Sequence, residues 1–137
     1  RQEKSSRAFG TELGRDATPL EAGLDRFVDM DKDFHGKAEM AAKGIRSMCV
    51  TLLIDGPEDA DPWGREALFD AGTKVGRLTS GGYSVAFGKQ IGMGYVKPEL
   101  AKVGTKLKVK MQNRLWDCEI VEDSPHDPTN ARIRVDG

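Results

Sequence analysis

The side chains most often found in metal sites and catalytic centres are few in this chain and lie far apart. The histidines His35 and His126 have no ligand partner at a diagnostic spacing, and Cys49 and Cys118 each sit inside an apolar, strand-like run. A metal site needs such side chains clustered at short intervals. We therefore expect no metal ion, histidines at the surface or in a cap, and two reduced, buried thiols in a reducing compartment.

Motifs for nucleotide and anion binding are weak. Gly92-Met93-Gly94 lacks the third glycine and the following helix of a dinucleotide fingerprint, so close packing explains it better. Residues 79–82, TSGG, predict a tight turn between strands, with an anion-binding nest as the alternative. The acidic residues of the segment 29–33 are interpreted as solvated charge. No side chain has the setting of a nucleophile or general base, so we assign no catalytic residue.

Length and charge exclude several classes of protein. The 137 residues suffice for one domain with a core, and 21 Lys and Arg against 22 Asp and Glu give a formal charge of −1. We expect no nucleic-acid partner and no membrane, because the charge is balanced and no apolar run could span a bilayer. No signal or transit peptide is visible, which predicts a cytoplasmic protein. The chain begins at Arg1 without Met, and we expect it to be a fragment of a longer polypeptide.

The first third of the sequence favours short helices. Residues 1–9 suit the last turns of a helix that ends at Gly10. Thr18-Pro19-Leu20-Glu21 combines an N-cap hydroxyl, Pro at N1 and an acid at N3, so it predicts a helical turn with a capping box. Good helix formers ending in Lys43-Gly44 predict a second helix over about 35–43.

From Gly44 to Asp123 the pattern changes to about six short strands without a long helix, which predicts a closed or nearly closed antiparallel barrel. Residues 66–69 and 74–77 predict a hairpin across the turn 70–73. The run KLKVKMQ alternates charged with apolar residues, as a strand with one face in water does. The inward side chains predicted for this strand and the next are Leu107, Val109, Met111, Trp116, Cys118 and Ile120, while Lys106, Lys108 and Lys110 point outward. The Pro-rich tail is expected to wrap over a surface.

Five motifs, in this order, resemble those of one family. They are RQEKSSRAFGTEL, DATPLEAGLDRFV, KDFHGKAEM, KVGRLTSGGYS with the following GMGYV, and SPHDPTNARIR. Together they cover nearly all of the chain. It resembles the C-terminal part of the folate-dependent aminomethyltransferases, the glycine cleavage T-protein family. Within that family it is most similar to the branch fused to dimethylglycine and sarcosine dehydrogenases.

The resemblance implies a three-domain cloverleaf whose central channel holds tetrahydrofolate and whose last domain is a six-stranded barrel. It divides this chain into residues 1–43, the helical C-terminal end of the folate-binding domain, and 44–137, the barrel domain with its wrapping tail. By resemblance, Glu3, Ser6, Arg7 and His126 line the folate channel. The family often has an aromatic residue where this chain has Ser6, and Tyr where it has His126. The family's catalytic Asp and pterin-binding Glu belong to sequence that precedes Arg1.

The implied partners are folate and the preceding domains of the same polypeptide, and the resemblance allows for FAD in an upstream domain. It also implies a mitochondrial matrix location in a eukaryote. The expected function is one wall of the folate channel in a protein of one-carbon transfer, with the chain alone inactive. The alternative is a stand-alone, non-catalytic β-barrel that binds another protein. An exposed apolar face where other domains dock would favour the first interpretation, and a polar surface all round would favour the second.

Overall fold

Six β-strands make up the body of the molecule. The computed structural model describes residues 1–57, 59–132 and 134, and within these it contains one α-helix, α1, at Lys37–Lys43. Single turns of 3-10 helix lie at Gln2–Lys4, Asp25–Phe27 and Pro98–Leu100. The strands are β1 (Met48–Ile54), β2 (Ala67–Asp70), β3 (Thr73–Ser84), β4 (Lys89–Val96), β5 (Lys106–Met111) and β6 (Arg114–Val121). The chain is mainly β, as its sequence predicts.

The strands close into a barrel in the order β1-β4-β3-β2-β5-β6. All neighbours pair antiparallel, and β1 completes the ring by pairing with both β4 and β6. The predicted hairpin is β2 and β3, with Ala71 and Gly72 at positive φ in the turn between them. Closure gives each of the six strands a neighbour on both sides. The predicted six-stranded antiparallel barrel is confirmed.

Alternation along β5 and β6 builds one side of the core. Leu107, Val109 and Met111 are buried, and the lysines between them are exposed, as predicted. On β6 the predicted inner residues Cys118 and Ile120 are buried, while Trp116 is half-buried and donates from its indole Nε1 to the Met111 carbonyl at 3.2 Å. Both thiols are free and buried. The core that these strands close over contains Val50, Leu52, Ile54, Leu68, Val75, Leu78, Val96, Leu107, Val109, Met111, Cys118 and Ile120.

Glycines allow β3 and β4 to approach each other closely. A Cβ atom on Gly76 would overlap the carbonyl oxygen of Tyr95, and one on Gly94 would overlap the carbonyl oxygen of Arg77. A Cβ atom on Gly92 would lie 3.0 Å from the carbonyl oxygen of Ser80. The interpretation of Gly92-Met93-Gly94 as a packing feature is therefore confirmed.

The turn predicted at residues 79–82 is wrong. These residues lie inside β3, and the chain reverses only after Ser84, with Gly88 at positive φ. A shift in register between Leu78 and Ser80 marks a β-bulge there. Gly81 is required for a different reason, since a Cβ atom on it would lie 2.6 Å from the side chain of Pro62. Gly81 makes room for a neighbouring segment, and neither glycine reverses the direction of the strand.

Residues 1–43 are less helical than expected. In place of the last turns of a helix, residues 1–9 form only the turn Gln2–Lys4, after which Ser5 takes a left-handed conformation with φ 51°. The Ser5 hydroxyl bonds to Thr51 Oγ1 at 2.7 Å, so contact with the barrel overrides local helix preference. The capping box is confirmed, with Thr18 N to Glu21 Oε1 at 3.1 Å and Glu21 N to Thr18 Oγ1 at 3.2 Å. The helix expected over 35–43 is α1.

The division of the chain at residues 43 and 44 stays a prediction. The tail contacts the N-terminal segment through residues 124–130, as its predicted wrapping requires. Residues 133 and 135–137 of the predicted tail lie outside the described residues. The described part of the chain contains no helix with the length and apolar character that crossing a bilayer requires.

Candidate functional site

The N-terminal segment and the tail are held together beside the barrel by polar contacts. Ser124 donates from its backbone N to Ser5 Oγ at 2.8 Å and from its hydroxyl to the Lys4 carbonyl at 2.8 Å. His126 donates from its backbone N to the Glu3 carbonyl at 3.3 Å. Because residues more than a hundred positions apart make these bonds, only the folded chain brings the predicted site residues near one another.

Lys4 adds an ionic contact to this arrangement. Its ammonium group bonds to the Asp127 carbonyl at 2.5 Å, to the Asp127 carboxylate at 3.2 Å and to Asn130 Oδ1 at 2.9 Å. Three acceptors around one ammonium group use all of its donors. The tail is thereby fixed across the N-terminal segment at a second point.

Ser6 and Arg7 line one cleft of about 510 Å³. This volume is in the range of sites for small molecules and cofactors. The cleft is bounded by the N-terminal segment, the turn at residues 23–26 and the tail, and Ser6 is exposed within it. Its lining residues are Lys4, Ser5, Ser6, Arg7, Gly23, Leu24, Asp25, Arg26, Asp123, Ser124 and Pro128.

The Arg7 guanidinium forms a clamp in the wall of this cleft. Its Nε donates to the Ala22 carbonyl at 2.9 Å, and its two terminal nitrogens donate to the Ser5 carbonyl and to the Asp123 carboxylate, both at 2.6 Å. Only 7% of the Arg7 side chain is exposed. Gly23 is needed beside it, since a Cβ there would lie 3.1 Å from the guanidinium. Arg7 therefore sets the shape and charge of the wall with most of its donors already used.

Glu3 and His126 form a second cluster next to the first. The Glu3 carboxylate accepts the Ser84 hydroxyl at 2.6 Å and the Ala86 backbone N at 3.4 Å. The Ser84 hydroxyl, and to a lesser degree the charge of His126, lower the pKa of Glu3. The His126 ring meets the edge of Phe87 with 6.4 Å between ring centroids. The structure thus pairs Glu3 with His126 and Ser6 with Arg7, in two adjacent clusters joined by residues 4 and 5.

Sequence reasoning missed a buried, heavily bonded carboxylate, Glu12. Its side chain is fully buried and accepts bonds from Thr79 Oγ1 at 2.8 Å and from the Ser80 hydroxyl, both on the β3 bulge. The carboxylate also accepts bonds from the backbone N of Ala8 at 2.9 Å, from Thr11 Oγ1 at 2.6 Å and from the Arg1 guanidinium at 3.0 Å. Of all these partners, only the adjacent Thr11 could be expected from the sequence. Burial raises the pKa of Glu12, but the hydrogen bonds outweigh burial and lower the pKa to about 2.

Glu21 does more than cap its turn. Its carboxylate also accepts the Arg46 guanidinium at 2.9 Å and the backbone N of Arg46 and of Ser47 at 3.0 and 3.2 Å. Burial raises the pKa of Glu21, but these hydrogen bonds lower the pKa to about 2 overall. The capping-box motif identified the residue, but its link to the start of the barrel was not visible in the sequence.

A family comparison decides what kind of domain this is. The family described as the glycine cleavage T-protein C-terminal barrel domain matches residues 48–127. The chain belongs to this family. The matched range covers all six strands of the T-protein barrel and includes His126, whereas Glu3, Ser6 and Arg7 lie before it. The resemblance drawn from the five motifs is confirmed.

Individual relatives extend the match beyond the T-protein barrel. The mitochondrial dimethylglycine dehydrogenase of Rattus norvegicus is 38% identical over 146 residues, which cover 100% of this chain and 17% of that protein. An aminomethyltransferase of Thermosynechococcus vestitus is 36% identical over 129 residues, covering 91% of this chain and 34% of that protein. The chain therefore spans only 17% and 34% of the length of these two relatives.

A solved structure shows the same fold. The crystal structure of glycine cleavage system aminomethyltransferase T from Bartonella henselae superposes with a TM-score of 0.82 at 24% identity. The superposition covers 93% of this chain and 37% of that one. It therefore includes most of the N-terminal segment as well as the T-protein barrel.

Proposed function

We propose that this chain is the C-terminal part of a tetrahydrofolate-dependent one-carbon transfer protein of the aminomethyltransferase or dimethylglycine dehydrogenase type, and that it supplies one wall of the folate channel. The observation that carries the proposal is the cleft in which Ser6 and Arg7 meet, with Glu3 and His126 beside it. Four residues that the motifs single out at opposite ends of the sequence converge on one side of the molecule. Convergent polar groups around a cleft are the usual form of a ligand site.

Each side chain has a distinct role in this proposal. Ser6 is exposed and offers a hydroxyl to a ligand in the cleft. Arg7 is held by three acceptors, so it positions the wall and contributes positive charge. The Ser84 hydroxyl lowers the pKa of Glu3, and the Glu3 backbone carbonyl accepts a hydrogen bond from the backbone N of His126. Proton transfer and the grip on the pterin are proposed to come from preceding domains, and FAD, where the polypeptide has a flavin domain, from further upstream.

Exposed aromatic side chains support docking to preceding domains. In the N-terminal segment Phe9 is 87% exposed and Phe27 is 72% exposed, values unusual for phenylalanine on a surface that stays in water. We propose that these rings contact other domains of the same polypeptide.

In keeping with the mitochondrial relative, that polypeptide is proposed to act in the mitochondrial matrix of a eukaryote or in the cytoplasm of a bacterium.

Calorimetric titration with tetrahydrofolate tests the proposal on two proteins, the 137-residue chain and the complete polypeptide. A channel site needs groups from several sides, so we expect binding only by the complete polypeptide. Micromolar binding by the chain alone would show that the site has been misplaced.

Variants of the complete polypeptide test the assigned wall. His126→Ala is expected to weaken tetrahydrofolate binding, and the matched change His35→Ala, near the start of α1, should leave the affinity unchanged. Ser6→Tyr restores the aromatic residue common in the family and should tighten binding by roughly fivefold, the equivalent of a stacking contact of about 1 kcal/mol. Equal effects at His126 and His35, together with no response to Ser6→Tyr, would remove these residues from the channel.

A further inference from the structure

A second cleft, separate from the one at Arg7, lies on the outer face of the barrel. It has a volume of about 560 Å³ and is formed by the loop at residues 10–17, the turn at residues 63–65, and Arg77, Thr79 and Tyr95 from β3 and β4. None of its lining residues also lines the cleft at Ser6 and Arg7. Its floor is rigid, because the Tyr95 hydroxyl donates to the Glu12 carbonyl at 2.6 Å beneath the loop.

The turn that carries Trp63 is fixed to the barrel. Trp63 donates from its backbone N to the Glu66 carboxylate at 2.6 Å, and Arg65 donates from its backbone N to the Leu78 carbonyl at 2.7 Å. Gly64 lies so close to the β3 bulge that a Cβ on it would be 2.6 Å from the Thr79 carbonyl oxygen. The backbone of the turn is therefore fixed without a ligand, so no backbone ordering is needed when one binds.

This fixed turn presents an indole ring to solvent. Trp63 is 94% exposed, although it borders the cleft. A large aromatic ring held in water by a well-bonded backbone has a flat face available for stacking.

The charge of the cleft favours an anion. Arg65 and Arg77 are both exposed at its edge, and within the described residues neither forms an ion pair. The Glu12 carboxylate is already bonded on both oxygens, and its ionic partner is Arg1. Asp16 supplies the remaining carboxylate among the lining residues, while the Glu66 carboxylate lies outside the lining and accepts the backbone N of Trp63. Within the lining, two unpaired guanidinium groups therefore stand against one carboxylate. Guanidinium groups bind carboxylates and phosphates through paired, planar hydrogen bonds.

From these features we propose that this cleft binds a small molecule made of a planar aromatic ring and an anionic group, with the ring against Trp63 and the anion between Arg65 and Arg77. The site does not depend on the folate proposal, because the two clefts share no lining residue and its test requires no folate.

Phenyl phosphate and benzoate are suitable probes, with inorganic phosphate and phenol as the separate halves of the first. Binding is followed by calorimetry and by Trp63 fluorescence in a Trp116→Phe background, at constant ionic strength. We expect phenyl phosphate or benzoate to bind in the submillimolar range and to bind about tenfold or more tightly than inorganic phosphate or phenol. Either probe binding with this preference supports the proposal. No binding by either one overturns it, as does inorganic phosphate binding as tightly as phenyl phosphate.

Variants separate the two halves of the site. Arg77→Gln should weaken phenyl phosphate binding about fivefold or more, whereas Arg26→Gln, an exposed arginine at the other cleft, should not change it. Trp63→Ala should weaken phenyl phosphate binding and leave inorganic phosphate binding unaltered. Asp16→Asn should tighten the binding of both anions. Equal losses for Arg77→Gln and Arg26→Gln would show general charge attraction only and would overturn the site.

Discussion

Replacing Glu12 by Gln removes one negative charge from a buried cluster of polar groups beside the barrel. The two carboxylate oxygens accept bonds from the bulge on β3, from the loop that contains Glu12, and from Arg1. Glutamine has nearly the same shape but offers only one acceptor oxygen, and its amide donors then face other donors. The substitution thus imitates the protonated carboxyl group at every pH.

The pKa of Glu12 gives the size of the expected effect. Burial raises this pKa, but the hydrogen bonds from Ser80, Thr11, Ala8 and Thr79 outweigh burial and hold it at about 2, against the ordinary value of 4.5. A difference of this size corresponds to about 3 kcal/mol in favour of the ionised form in the folded state. Because the folded-state pKa is lowered, this stability is fully present above pH 4.5 and is lost as the pH falls toward 2.

Urea unfolding of both proteins across a pH series measures this effect. At pH 7, Glu12→Gln should lower the free energy of unfolding by about 3 kcal/mol, and the matched change Glu99→Gln, at an exposed position, by less than about 0.5 kcal/mol. The gap between Glu12→Gln and the parent protein should shrink below pH 4.5, because the unfolded parent then takes up a proton at Glu12 while the folded parent keeps this carboxyl group ionised until about pH 2. A gap that stays constant from pH 7 to pH 3, or one below 0.5 kcal/mol at pH 7, would refute the reasoning.

Three further measurements test the packing and surface of the barrel. Gly94→Ala forces a Cβ into the carbonyl of a neighbouring strand and should destabilise the fold by about 3 kcal/mol or more in thermal unfolding, whereas Gly82→Ala, with open space around it, should cost about 1 kcal/mol or less. Burial raises the pKa of the Cys49 and Cys118 thiols to about 12, so a thiol reagent at pH 8 should react slowly with the native chain and count two thiols per chain in denaturant without reductant. Fewer than two would mean that they are not free. Lys108→Ala removes an exposed cross-strand ion pair and should change stability by less than about 1 kcal/mol; a larger loss would mean that the pair is not screened by water.

Local pattern was sufficient for most of the barrel. The alternation in β5 places its apolar residues on one face of the strand regardless of the rest of the fold, because successive side chains of a strand point in opposite directions. The capping box at Thr18 and Glu21 likewise depends on residues three positions apart. The family also followed from the sequence, since its motifs occur in order along nearly the whole chain.

Residues 79–82 show where local pattern failed. Ser and Gly in that order are typical of a turn, yet Gly81 accommodates Pro62 and Ser80 donates to Glu12, so the segment continues as a bulged strand. A glycine can serve in a tight turn or make room for a neighbouring segment. At Gly81 the deciding neighbour is Pro62, which is distant in sequence.

For the candidate site, too, some features follow from the sequence and others only from the tertiary structure. The sequence by itself determined the barrel, its inward and outward faces, and which residues match the family motifs. Only the tertiary structure decided that Ser6 and Arg7 share a cleft, that Glu3 lies against His126, and that Glu12 is buried and ionised. The physical reason is that a buried polar group must find its hydrogen-bond partners within the fold, and those partners come from segments that the linear sequence does not connect.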